Sequence, residues 1–274
     1  MPELPEVETI VRDLRPHLVG TTVAAVAVGH PAVVRYPGLG EFLSALPGRR
    51  IERCQRRAKY IALRLDGRDS LFVHLGMSGT LTLDRPEAPA RPHTHVRFRL
   101  GSGLELRYVD PRRFGRLLLG PPPELRAAGK LPALGIEPLS PRFTADRLGA
   151  VLQGSGRPLK AVLLDQARIA GCGNIYADES CFLARLRPAR AAAGLRPREV
   201  ARLRDALRIV LRQAIRSRGS SIADYRDGFG ARGEAHEALF VYGRGGAPCV
   251  RCGRPLAQGV VAGRTTVHCP GCQA

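Results

Sequence analysis

The chain begins Met1-Pro2-Glu3-Leu4-Pro5-Glu6-Val7-Glu8, and its second residue is the one to weigh first for chemistry. Removal of Met1 is expected, because the ring that follows is small, and it leaves Pro2 as a secondary-amine terminus. A terminal amine titrates near ~8, against about 10.4 for a lysine side chain. More of it is therefore neutral and nucleophilic at neutral pH. Such an amine attacks the anomeric carbon of a sugar, or a carbonyl, and forms a Schiff base. Glu3 and Glu6 follow within reach of such an adduct, where protons must be moved. The same residues also suit a plain helix start, since proline and acidic side chains favour the first turn.

The basic residues extend the case. Only Lys59, Lys130 and Lys160 are lysines among 43 basic residues. Arginine grips phosphate well but does not deprotonate in proteins. A lysine kept in such a chain marks a place for a compact ammonium, and Lys59 lies in Arg56-Arg57-Ala58-Lys59 beside its own substitutes. A net charge of +19 over 274 residues repels itself unless a polyanion is present. Nucleic acid is the leading partner and an anionic membrane the weaker one. No run of 18 apolar residues exists to cross a bilayer. The acidic, proline-containing start is unlike a signal peptide, so a cytosolic chain is expected. Nothing in the sequence points to an oligomer, and a monomer is expected.

Cys249-x2-Cys252 and Cys269-x2-Cys272 are separated by 16 residues. Two such pairs match one tetrahedral zinc ion held by four thiolates. A disulfide pair is the alternative and suits a reducing compartment poorly. Cys54, Cys172 and Cys181 are scattered and read as core thiols.

The elements that position these groups fall into two styles. Val7, Ile10, Val11, Leu14 and Leu18 recur at helical spacing up to Gly20. Short β-like runs follow at Thr21–Val28, Arg50–Leu65, Leu71–Leu75, Thr80–Leu83, Val96–Leu100, Leu104–Val109 and Arg116–Leu119. So many short strands in about a hundred residues suggest a sandwich of two sheets. Gly120–Pro123 and Leu131–Pro141 read as linker. From Thr144 the pattern is helical, with helices beginning at Thr144, Pro158 and Pro197 and a Gly171-Cys172-Gly173 turn before Asn174. Gly219–Gly233 reads as a mobile loop, and a cysteine hairpin closes the chain.

Three constellations sit on these elements. Helix–glycine turn–helix is a familiar DNA-contacting unit, and Asn174 opens its second helix. His74-Leu75-Gly76-Met77-Ser78-Gly79 and Asp110-Pro111-Arg112-Arg113-Phe114-Gly115 lie in turns at strand ends. Met77 and Phe114 beside arginines suit insertion between base steps, although each taken singly is better read as a core residue. Arg264, between the two cysteine pairs, and Tyr242 and Arg244 before them suit phosphate or groove contact.

Together these motifs resemble the formamidopyrimidine-DNA glycosylases, bacterial enzymes that excise oxidised purines. The resemblance rests on residues 2–8, 56–60, 74–79, 110–115, 171–179 and 241–244 and on the four cysteines, in family order over nearly the whole chain. It implies an α+β multidomain fold with three parts. They are a catalytic β-sandwich with an N-terminal helix (1–132), a helix–two-turn–helix domain with a lesion-capping loop (133–236) and a zinc-finger hairpin (237–274), with DNA in a cleft. It implies Pro2 as the nucleophile at C1′, Glu3 as the proton-handling carboxylate and Glu6 as a supporting acid. Lys59 matches a lysine beside the lesion phosphate. His74, Asn174, Tyr242 and Arg264 match phosphate contacts, and Arg264 is also tied to the elimination steps. Met77, Arg112 and Phe114 match a wedge in which Arg112 faces the orphaned base. Lys160 falls on a family lysine placed with the DNA contacts. The zinc would be structural, and the substrate is double-stranded DNA holding an oxidised base or an abasic site.

One stretch departs from the family pattern. Where relatives commonly carry an aromatic and a glutamine, this chain has Gly233-Glu234-Ala235-His236-Glu237, next to the loop at about 217–235 that relatives close over the base. Two rival readings stand beside the main one. An endonuclease VIII-like enzyme for oxidised pyrimidines usually opens PEGPE, whereas this chain has Leu4. A silent binder of damaged DNA explains the charge and the cysteines but not Pro2, Glu3, Glu6 and Lys59 together.

Overall fold

The computed structural model describes residues 1–222 and 224–274. In chain order its elements are α1 (Leu4–Leu18), β1 (Val23–Val28), β2 (Val34–Tyr36), α2 (Leu39–Ala45), β3 (Ile51–Arg57), β4 (Tyr60–Leu65), β5 (Ser70–His74), β6 (Thr80–Asp84), β7 (Thr94–Leu100), β8 (Glu105–Val109) and β9 (Arg116–Gly120). Then come α3 (Pro122–Ala127), α4 (Ala145–Gln153), α5 (Leu159–Leu164), α6 (Asn174–Leu183), α7 (Pro197–Arg216), β10 (Ala257–Val261) and β11 (Arg264–His268). The chain divides into two compact units. One holds residues 1–133 and 217–236, the other residues 134–216 and 237–274.

The first unit is built on two sheets, ordered β1-β7-β8-β6 and β2-β9-β5-β4-β3. Pairing is antiparallel except between β2 and β9. The apolar stripe of α1, namely Val7, Ile10, Val11, Leu14 and Leu18, is fully buried in one core with Phe42, Ile61, Val73, Phe98 and Tyr108. The helical spacing read from the sequence is therefore the face that docks this helix, and docking holds its N-terminus in place.

The expected run Arg50–Leu65 is two strands joined at Ala58-Lys59, with Arg57 opposite Tyr60. Ala58 has φ 51, a left-handed backbone in which a Cβ is strained. Gly120–Pro123, read as linker, instead leads into α3. Pro121 caps that helix and proline occupies its first turn, where the missing N–H costs nothing. The short β2 and α2 escaped the sequence reading because three and seven residues are too few to declare a period.

The segment 217–236 packs with the first unit although the helical residues 134–216 precede it. In the segment read from the sequence as a mobile loop, the described residues bond to α1 and to one another. Arg218 pairs with Asp13 and Asp227 at 2.7 and 2.5 Å. The Gly228 N–H donates to Asp13 at 3.1 Å, and Tyr225 Oη donates to the Arg218 carbonyl at 3.0 Å. Ala223, inside this expected capping loop, lies outside the described residues.

In the second unit Thr144 caps α4, its Oγ1 accepting the Arg147 N–H at 3.2 Å. The amphipathic α7 buries Val200, Leu203, Leu207, Leu211 and Ile215. The hairpin β10–β11 turns at Ala262-Gly263, both with positive φ. That backbone matches the right-handed twist of the strands it joins.

Candidate active site

The reactive start of the chain is buried. Pro2 is buried, and Glu3 and Glu6 are 3% and 2% exposed. Glu3 caps α1 in a capping box with Glu6, so the plain helix-start reading of these acids also describes the structure. Glu6 does more than cap. One carboxylate oxygen accepts the Glu3 N–H at 2.8 Å, and the other accepts the Ser220 N–H at 2.8 Å. Glu6 thus ties the start of α1 to the 217–236 segment, and Gly219 (φ +81) lies against its side chain. Lys59, in the strained two-residue turn, is buried at 6% exposure. Burial holds the Met1 amine below its ordinary value. Lys59 adds to that lowering, while Glu3 and Glu6 oppose it. A strained turn, a buried ammonium, two buried carboxylates and a terminal amine therefore act on one another.

His74 ends β5, and its Nδ1 accepts the Gly76 N–H at 3.1 Å. Burial, then the charges of Arg116 and Lys59, push its pKa down to about 4. The ring is neutral at neutral pH. Since Nδ1 accepts, Nε2 carries the hydrogen.

The turns bearing Met77 and Phe114 form one body. At Gly76 (φ +62) a Cβ would stand 2.5 Å from the Phe114 carbonyl carbon and the Gly115 nitrogen, so only glycine lets the two turns touch. Asp110, fully buried, accepts from Ser78 Oγ at 2.6 Å, Tyr108 Oη at 2.9 Å and the Gly115 N–H at 2.8 Å. Above this clamp Met77 is 43% and Phe114 56% exposed, against the expectation that either taken singly is a core residue. The Arg112 guanidinium lies 4.8 Å from the centre of the Phe114 ring.

In the second unit, Asn174 begins α6 after the Gly171–Gly173 turn, and its Nδ2 donates to the Thr265 carbonyl at 3.1 Å. Tyr242 is half-buried, and Arg264 is exposed at the first position of β11. Lys160 differs from the DNA-contact expectation. It is fully buried, pairs with Asp178 at 2.7 Å, and donates to the Thr265 carbonyl at 2.9 Å and to Thr266 Oγ1 at 2.8 Å. The fully buried ammonium is enclosed by these three groups, so Lys160 ties α5, α6 and β11 together and presents no surface to a phosphate. The sequence reading gave Asp178 and Glu179 no role. Burial raises the Glu179 carboxyl, which accepts the N–H groups of Phe240, Val241 and Tyr242, each at 2.8 Å. Two adjacent acids on a helix whose other residues are mostly apolar were the available signal.

The sulfurs of Cys249, Cys252, Cys269 and Cys272 all lie within 4.8 Å of one another. Those of Cys252 and Cys269 are 3.5 Å apart, and those of Cys249 and Cys272 are 4.0 Å apart. Zn–S bonds of about 2.3 Å in a tetrahedron put sulfurs roughly 3.8 Å apart, so the donor set fits one such ion. The apolar cluster beneath it is small: Phe182, Val241, Leu256 and Val267 with two of the cysteines. Cys54, by contrast, is buried against α1, and burial pushes its thiol up to about 12.

A two-sheet unit with a buried amine cluster, followed by a helical unit with a four-cysteine hairpin, defines a sandwich plus helix–two-turn–helix class of protein. The family model for the formamidopyrimidine-DNA glycosylase N-terminal domain matches residues 1–117, and the model for the H2TH domain of the same enzymes matches residues 134–226. The formamidopyrimidine-DNA glycosylase of Moorella thermoacetica is 52% identical over 258 residues, 94% of each chain. That of Herpetosiphon aurantiacus is 44% identical over the full length of both. The crystal structure of MutM (Fpg) from Thermus thermophilus superposes with a TM-score of 0.87 at 44% identity, covering 99% of this chain and 98% of that one. A complex of Lactococcus lactis Fpg with DNA containing an abasic site superposes at 0.90 with 33% identity, covering 99% of each. The chain belongs to the formamidopyrimidine-DNA glycosylase family.

Proposed function

We propose that this protein is a DNA glycosylase and abasic-site lyase that removes oxidised purines from duplex DNA in the bacterial cytosol, acting as a monomer. Relatives carrying that name support the substrate class, and among the described residues no helix is long and apolar enough to cross a membrane. The observation that carries the chemistry is the common burial of Pro2, Glu3, Glu6 and Lys59 at the start of the chain, where burial already holds the Met1 amine below its ordinary value. With Met1 removed, the Pro2 nitrogen attacks C1′ of a nucleotide turned out of the stack. The C1′–N bond to the base breaks, and the departing base takes up a proton. Glu3 opens the sugar by proton transfer at the ring oxygen, which leaves an iminium between Pro2 and C1′. The iminium acidifies C2′, so β-elimination expels the 3′ phosphate and δ-elimination the 5′ phosphate. Lys59 and neutral His74 hold phosphate on this side. Met77, Arg112 and Phe114 fill the vacated stack, with Arg112 toward the orphaned base. Arg264, Asn174 and Tyr242 grip phosphate from the helical and hairpin part, and Arg264 assists elimination. Glu6 orders the amine and the 217–236 segment together.

The parts are assigned as the catalytic sandwich (1–132), the helix–two-turn–helix region with capping segment (133–236) and the finger (237–274). Cys249, Cys252, Cys269 and Cys272 hold one structural zinc ion, which keeps the β10–β11 tip rigid.

Borohydride trapping on duplex DNA with 8-oxoguanine opposite cytosine tests this reading. The expected result is a covalent adduct on Pro2, mapped by tryptic digestion and abolished by one residue added before Pro2. Adduct formation on another residue, or excision unchanged by the added residue, excludes the nucleophile assignment. An adduct only with oxidised-pyrimidine DNA keeps the chemistry and changes the substrate.

A further inference from the structure

The strand order of the five-stranded sheet lines up basic residues that the sequence scatters. Lys59 adjoins Tyr60, Tyr60 pairs with His74, and His74 pairs with Arg116. Arg35 lies between Val34 and Tyr36, which pair with Leu117 and Leu118. Read across β4, β5, β9 and β2, a row made of Lys59, neutral His74 and Arg116 leaves the amine cluster and ends at Arg35. Each strand step is about 4.8 Å, so three steps move the row roughly 14 Å. That span is comparable with a groove of B-DNA, about 12 Å on the major side, and exceeds what one phosphate contact needs.

At the far end lies a recess of about 520 Å³ lined by Val34, Arg35, Phe114, Gly115, Arg116, Leu118, Gly129 and Lys130. Three of its residues are cationic and none is acidic. Arg35 and Lys130 are exposed, and neither is in an ion pair among the described residues. The Arg116 guanidinium donates to Tyr60 Oη at 2.5 Å and stacks over that ring, while its Nε is buried with no hydrogen-bond partner. The backbone of Lys130 is held in place. Its N–H donates to the Leu125 carbonyl at 2.9 Å after the left-handed Gly129 that ends α3. It is also one of only three lysines in an arginine-rich chain, and nothing in the proposed reaction uses it.

We propose that Arg35, Arg116 and Lys130 form a second phosphate site, which holds the backbone of the strand opposite the lesion. The inference rests on the reading above, in which Phe114 enters the duplex and Arg112 faces the orphaned base. Phe114 lines the recess, so the chain that carries that base passes its mouth. Lys59 and His74, at the near end of the row, serve the damaged strand.

The test compares the wild type with a variant carrying Arg35→Gln and Lys130→Gln. The probe is a duplex holding a reduced abasic site opposite cytosine, with single neutral methylphosphonates walked along the undamaged strand. Duplex affinity of the variant is expected to fall about tenfold at physiological salt, and the slope of log affinity against log salt to shrink by about two. The wild type should lose affinity at one or two methylphosphonate positions to which the variant is indifferent. Borohydride trapping on single-stranded abasic DNA should be unchanged. Unaltered duplex affinity and salt slope overturn the proposal, as does a variant that still responds to the walk as the wild type does. Equal losses on single- and double-stranded DNA overturn it too, since the recess would then take the damaged strand. A wild type that traps no abasic DNA removes the lyase reading instead, and the walk along the opposite strand still decides this site.

Discussion

Lys59 and Lys160 are both buried lysines in a chain that otherwise uses arginine. Their surroundings differ in kind. Around Lys160 the protein supplies one carboxylate, one carbonyl and one hydroxyl, so the ammonium is consumed by the fold. Around Lys59 it supplies a strained turn, and the charge is felt by the terminal amine and by His74. A buried charge saturated by its own protein maintains structure; one whose field falls on a terminal amine and a neutral imidazole is, in the proposed reaction, kept for a ligand. Burial alone does not separate the two cases, but the partner inventory does.

The largest effect expected from this contrast is on stability at Lys160. Lys160→Ala leaves the buried Asp178 carboxyl without its partner, and removal of one partner of such a pair costs about 3–5 kcal/mol. Denaturant unfolding measures it. Lys160→Met with Asp178→Leu should recover much of the loss, because apolar replacement of both partners is often close to neutral. A single variant as stable as the wild type would remove Lys160 from the structural side of the comparison.

Lys59→Gln is expected to act the other way. It removes a cation whose charge reaches the terminal amine and His74, and which the proposed reaction sets against a phosphate, while the β3–β4 pairing remains. Base release measured in single turnover should drop about a hundredfold, on the scale of losing one preorganised electrostatic contact, with a small change in melting temperature. Loss of stability matching that of Lys160→Ala, with turnover retained per folded molecule, would make both lysines structural.

Phe114→Ala tests the same distinction among apolar residues. Phe114 is exposed on a clamp made by Asp110, so its loss removes no core packing. Nucleotide flipping, followed by stopped-flow fluorescence of a base analogue, should weaken by roughly tenfold, about the worth of one stacking contact. Non-specific affinity should be nearly unchanged, and equal losses in both would argue against a wedge.

These contrasts also explain what the sequence could disclose. The α1 stripe, most strands of the two sheets, the capped start of α4 and the cysteine spacing each follow from a local period or a fixed motif. The short runs Val34–Tyr36 and Leu39–Ala45 carry too few residues for a period, and Pro121-Pro122 reads as a breaker although it begins α3. At the candidate site, residue types were legible but partners were not. Lys160 and Lys59 look alike in sequence, and only packing 105 and 106 residues away, at Thr265 and Thr266, tells them apart. Glu6 reads as a helix-start acid, and its bond to Ser220 spans 214 residues. The segment 217–236 reads as a loop from its composition, and composition does not report its side-chain bonds to Asp13, Asp227 and Tyr225.

The pH-dependent effect concerns His74, where protonation distinguishes a ligand-facing ring from a buried structural one. In the folded protein its pKa is pushed down to about 4, first by burial and then by Arg116 and Lys59. In the unfolded chain it returns to about 6.5. Between these values the unfolded state binds a proton that the folded state refuses, so stability falls as pH drops through about 6.5 and this contribution levels off below about 4. At pH 5 the loss relative to pH 7 should reach up to about 2 kcal/mol. His268 is lowered in the same direction by its own burial and by Arg187, so the useful quantity is the difference between the wild type and His74→Gln across the same pH series. That difference should be independent of pH above about 7 and change as the solution is acidified. A phosphate on Nε2 favours the protonated ring, so bound abasic DNA should shift the window upward in the wild type and leave His74→Gln unaffected. A window that DNA does not move would place His74 with Lys160, among the groups whose hydrogen bonds serve only the fold.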